Sequence, residues 1–114
     1  MKPGEITRRR RAKAFRLLKM DSPHFTTTEA LCLLGAGCGA VKFHRILAKR
    51  GHAERLPRYE KGYRFTLPAN YGGQTLSIKD HHSFQWTCEG VKFIASILKE
   101  ERITHAIPSE LLDR

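Results

Sequence analysis

Between Gly35 and Gly51 the chain reads GAGCGAVKFHRILAKRG, and this stretch constrains the fold more than any other. At about 100° per residue, Ala40, Phe43, Ile46 and Leu47 fall on one side of a helix. Lys42, Arg45 and Lys49 fall within an arc of about 60° on the opposite side. Such a helix must bury its apolar side and present three cations as one compact face. Gly51 supplies its C-terminal stop. Upstream, Thr26-Thr27-Thr28-Glu29 has capping-box spacing, with Thr26 and Glu29 each able to bond the other's backbone amide. A short helix through Ala30, Leu31 and Leu34 follows and stops at Gly35, where a left-handed residue is cheapest. The glycine-rich link that joins the two helices is no phosphate-cradling loop, because Ala40-Val41 stand where GxxxxGK[ST] needs lysine and a hydroxyl. Two short helices so joined, apolar inside and cationic outside, predict a helix-turn-helix whose second helix enters a major groove.

The flanks extend this unit. From Ala53 to Trp86 the period changes from 3.6 to 2: Tyr63, Phe65 and Leu67 alternate with Arg64 and Thr66, and Leu76 and Ile78 flank Ser77. A small antiparallel sheet of two to four strands is expected, with Glu60-Lys61-Gly62 as a turn. Thr87 is the N-cap of a last helix with Glu89 in its first turn. Val91, Phe93, Ile94, Ile97 and Leu98 form its buried stripe. At the other end Ile6 to Met20 reads as a helix, apolar at Ala14, Phe15, Leu17 and Leu18 but polar all round at Arg8 to Arg11. That first half is expected to be frayed or free. Asp21-Ser22-Pro23 ends it, since a residue before proline is pushed out of the helical region. The expected fold is α+β: a winged helix-turn-helix with a small antiparallel sheet and a basic N-terminal helical arm. The arm spans 1–21, the winged-helix domain 22–101 and a C-terminal tail 102–114. Tyr63, Phe65, Trp86, Ile94 and Leu98 are assigned to the core. The tail carries Ile103, Ile107, Leu111 and Leu112, interrupted by Pro108; it either docks on the body or pairs with a second subunit as a homodimer.

Charge says what such a scaffold meets. Twenty-one Lys and Arg against eleven Asp and Glu give +10 in 114 residues. Residues 1–20 hold eight cations against Glu5, and residues 39–64 hold eight more against Glu54 and Glu60. The rest of the chain is net acidic, so these two segments account for the whole excess. A polyanion is the expected partner, most often nucleic acid. No apolar run approaches the roughly 18 residues of a membrane span, so no membrane partner is expected. The opening residues carry no apolar signal core, and three cysteines at irregular spacing suit a reducing compartment. The expected location is the cytoplasm.

Three other chemistries fit less well. Cys32, Cys38, His44 and His52 give C-x5-C-x5-H-x7-H, without the close cysteine pairs that structural zinc favours. No GxSxG, HExxH or acidic metal cluster is present, so neither an enzyme nor a cofactor is expected. Tyr59, Tyr63, Phe65 and Tyr71 interleave with Arg and Gly and could stack RNA bases, but packing of a small sheet explains the same pattern. The serious alternative is a small inhibitor that binds an acidic protein instead of DNA.

From Thr26 to Glu100 the order of elements resembles the KilAC domain of bacteriophage antirepressor proteins. The residues that carry the likeness are Thr28-Glu29, Leu34-Gly35, Leu47-Ala48-Lys49-Arg50-Gly51 and Trp86-Thr87-Cys88-Glu89-Gly90, similar to the family's WTxxG, leading into Val91-Lys92-Phe93-Ile94. Leu31 departs from the small alanine usual there. The resemblance implies a winged-helix, double-stranded DNA-binding regulator of the phage or prophage type. In that reading Lys42, Arg45 and Lys49 face the major groove, and Arg50 lies nearer the backbone. Arg58, Lys61 and Arg64 on the wing, with Arg8, Arg9, Arg10 and Arg11 in the arm, contact phosphates or the minor groove.

Overall fold

In the computed structural model the backbone is described for residues 3–55, 63–65, 70–71, 74–75, 77–79 and 84–113, and side chains for 8–53 and 85–113. Helices dominate: α1 (Pro3–Leu18), α2 (Thr27–Leu33), α3 (Ala40–Lys49), α4 (Cys88–Glu100) and the short α5 (Ser109–Leu112). The capping box forms as the spacing predicts, with Glu29 N–H donating to Thr26 Oγ1 at 3.1 Å and Thr26 N–H donating to Glu29 Oε1 at 2.9 Å. Thr87 caps α4 by accepting from Gly90 N–H at 3.1 Å.

Three helices end the same way. After α2, Gly35 N–H donates to Cys32 O and Ala36 N–H to Leu31 O, with Gly35 left-handed at φ 59°. After α3, Gly51 (φ 80°) and His52 bond Ala48 O and Leu47 O. After α4 the same two bonds come from Arg102 and Ile103, but the left-handed residue is Arg102, at φ 57°. A side chain in that region costs about 1–2 kcal/mol, so glycine is favoured there. Gly51→Ala is therefore expected to lower stability by about 1 kcal/mol and Arg102→Gly to raise it by a similar amount, read from urea unfolding midpoints. Shifts of the same sign would contradict this.

Extended structure is brief. β1 (Ala53–Arg55) pairs antiparallel with β2 (Tyr63–Phe65), β3 (Asn70–Tyr71) with β4 (Gln74–Thr75), and β5 (Ser77–Lys79) with β6 (Phe84–Trp86). These are separate two-stranded pairs, and no larger sheet or barrel forms among the described residues. One further bridge ties the segment before α2 to β6: Phe25 and Trp86 exchange both backbone bonds, at 2.8 and 2.6 Å.

The core is one cluster. Phe25, Leu33, Leu34, Phe43, Leu47, Trp86, Val91, Ile94 and Leu98 are wholly buried, as expected for Trp86, Ile94 and Leu98. The side chains of Tyr63 and Phe65 lie outside the described residues. Ala14 and Leu18 of α1 join the same cluster, and Lys13 pairs with Glu29 of α2 at 3.3 Å. Two expectations for α1 thus need correction. Ala14 and Leu18 are core, seated on α2, while Phe15 and Leu17 are partly buried against the cluster and Arg16 is exposed. The first half is a continuous helix from Pro3, a residue pre-set for a first helical turn. The tail docks on the body: Thr104 O accepts from Gly37 N–H at 2.8 Å, Ala106 N–H donates to Leu34 O at 2.8 Å, and Leu111 is wholly buried. Ile107 and Leu112 stay exposed. The radius of gyration, 13.8 Å, matches the roughly 13 Å of one compact body of this length. No described helix is long and apolar enough to cross a membrane.

Candidate nucleic-acid interface

The glycine-rich turn from Gly35 to Gly39 brings α3 against α2, and α1 packs on α2 as well. Between α1 and α3 this leaves an open groove of about 1010 Å³. Arg10 and Arg11 line one wall and Lys42 and Arg45 the other, with Leu31, Cys32 and the glycine-rich turn between them. Four cations and no acid line it. The two basic segments, separate in sequence, meet here.

Each wall has a local cause. Burial of Phe43 and Leu47 turns α3 so that Lys42, Arg45 and Lys49 are all exposed, as the wheel predicts. Gly39 offers no side-chain cap and the first turn of α3 holds no acid, so the positive end of its dipole is not neutralised locally. On α1, Arg8 to Arg11 are exposed. The Arg11 guanidinium stacks 5.5 Å from the Phe15 ring centre, a cation–π contact that steadies it beside Gly35. Arg8, Arg9 and Lys49 are exposed beyond the groove.

The thiols of Cys32 and Cys38 sit in the groove between these charges. Burial pushes both pKa values up; Arg10 and Arg11 partly offset it at Cys32, where Glu29 reinforces it, and Lys42 partly offsets it at Cys38. Both are therefore protonated at neutral pH and act as small lining groups. No cluster of three or more metal-capable side chains exists among the described residues.

A buried hydroxyl fixes α3 to the body. Thr27 Oγ1 accepts from the Trp86 indole N–H at 2.9 Å and lies 3.1 Å from His44 Nε2. One side chain of α2 thereby joins α3 to β6. Burial penalises the charged His44 ring and holds its pKa below the ordinary 6.5. The unfolded chain then binds that proton more tightly than the folded chain, so stability is full above about pH 6.5 and declines as pH falls toward the lower folded value. Melting temperature is expected to drop between about pH 7 and 5, and His44→Gln is expected to flatten part of that slope. An unchanged slope would remove His44 from this role.

Arg50 is engaged within the chain. Its guanidinium pairs with Glu100 and, at 3.1 Å, with Glu101. The cause lies in α4: two acids sit at the C-terminal end of a helix, where the dipole disfavours them, and a cation there offsets both. Arg50 thus ties the end of α3 to the end of α4. Arg58 and Lys61, and the side chain of Arg64, lie outside the described residues.

Sequence reasoning missed Val41. It lines the groove between Ala40 and Lys42 and is 68% exposed. The signal was present, since at 100° per residue Val41 falls beside Arg45 and away from the apolar side. No family model matches this chain, and neither a curated protein nor a solved structure matches it.

Proposed function

We propose that this chain binds double-stranded DNA as a winged-helix protein and acts as a phage- or prophage-type transcription regulator. The observation that carries the reading is the meeting of two basic segments at one groove with no acid in its lining. Two further features support the reading: the short β1–β2 pair follows α3 directly, and the segment between α1 and α2 bridges through Phe25 to Trp86 of β6. In this reading α3 enters the major groove with Lys42, Arg45 and Lys49 outward, and Arg8 to Arg11 of α1 track the phosphates alongside. The resemblance to phage antirepressor domains supplies the biological setting and rests on the motif residues alone.

Arg45→Ala is expected to change sequence preference in a selection from random duplexes and to weaken the preferred site by about 1–3 kcal/mol. Arg9→Ala is expected to weaken all duplexes nearly equally. Negligible effects from both would overturn the assignment. A second reading, capture of a host or phage protein, draws on Ile107 and Leu112, exposed on the docked tail. Weak, salt-insensitive DNA binding beside tight binding of one protein would favour it.

A further inference from the structure

Val41 is the most exposed large apolar side chain among the described residues, and it stands on the face of α3 that carries the charge. On the helical wheel Val41, Arg45, Lys49 and Lys42 occupy one arc of about 100°. Val41 and Arg45 are one turn apart, so their side chains are neighbours. Both belong to the groove lining, and Val41 lies in the first helical turn. An isolated valine gains nothing from water or from the cations around it. It gains by burial only if the surface that meets those cations offers an apolar group at the same depth.

Duplex DNA offers one such group in its major groove: the C5 methyl of thymine, beside acceptors that suit Lys and Arg. We infer that Val41 is a specificity-determining residue that packs on a thymine methyl next to the base pair met by Arg45. The inference rests on the DNA-binding reading above and adds to it a base preference set by an uncharged side chain. Nothing charged is involved, so this preference is insensitive to salt, unlike the affinity as a whole.

The test uses the full chain and duplexes selected from a random pool. Selected sites are expected to share a thymine next to the position whose preference changes in Arg45→Ala. Uracil at that thymine removes only the methyl group. It is expected to weaken wild-type binding about fourfold, the worth of one buried carbon, at both low and high salt. Val41→Ala, an exposed change to a better helix former, is expected to fold normally and to bind the thymine and uracil duplexes alike. Equal wild-type affinity for the two duplexes, a preference that survives in Val41→Ala, or no shared thymine would overturn the role of Val41 while leaving DNA binding intact. Retention of no duplex at all would overturn both readings.

Discussion

Trp86→Ala is expected to destabilise the chain by about 3–5 kcal/mol, the range for deleting a buried aromatic side chain. Trp86 is wholly buried in the cluster shared by all the longer helices, and its indole N–H donates to the Thr27 hydroxyl at 2.9 Å. Removing the ring opens a cavity and takes from the Thr27 hydroxyl one of its two partners. For a chain of this size, whose total stability is on the order of 6–17 kcal/mol, that is a large fraction. Thr27→Val separates the two effects: it keeps the volume and removes the hydroxyl that meets the indole N–H and His44, with an expected cost of about 1–3 kcal/mol. Chemical unfolding monitored by circular dichroism reads both. A loss under about 1 kcal/mol for Trp86→Ala would mean that the bridge between Phe25 and β6 does not organise the core. Thr27→Val is also expected to loosen α3 against α2, so its loss of DNA affinity should exceed what its stability loss alone explains.

The second large effect concerns the groove. A variant with Arg10, Arg11, Lys42 and Arg45 all replaced by alanine is expected to lose roughly 10³-fold in affinity for duplex DNA near 0.15 M salt. Four cations set against the duplex, at its backbone or in its major groove, each displace about 0.9 counterion and together supply that factor. Folding is not the cause, because all four side chains are exposed and the Lys13–Glu29 pair between α1 and α2 remains. Removing like charges that face one another across the groove relieves repulsion, so the variant should melt no earlier than wild type. The matched control replaces Arg50, whose charge is held by Glu100 and Glu101. Arg50→Ala is expected to reduce stability more than DNA binding, which reverses the ranking that sequence position suggests.

Local chemistry made much of this legible. Thr26 with Glu29, Gly35, Gly51 and Thr87 bound their helices where stereochemistry requires, because each cap is satisfied within a few residues of chain. The face of α3 was equally readable, since burial of Phe43 and Leu47 fixes where Lys42, Arg45 and Lys49 point. What could not be read was tertiary. Nothing in the run Arg8 to Arg11 says that Ala14 and Leu18 will seat α1 on α2 and so bring Arg10 and Arg11 opposite Lys42. Arg50 was assigned to a phosphate because its partners lie fifty residues away at the end of α4. Val41 was overlooked because a wheel sorted into apolar and cationic sides hides the one residue that departs from the sorting. The pattern from Ala53 to Trp86 showed a period of two but not that the described strands form separate short pairs, because strand pairing is decided between residues distant in sequence.

The central claim is that α1 and α3 form one polyanion-binding surface, and salt dependence tests it most directly. The dissociation constant for a single duplex would be measured across a range of salt concentrations for wild type and for the four-alanine variant. Wild type is expected to give a log–log slope of roughly −4 to −7, and the variant a slope shallower by about 3.6. A steep slope that the four substitutions leave unchanged would contradict a shared surface. A slope near zero in wild type would contradict the binding of DNA itself.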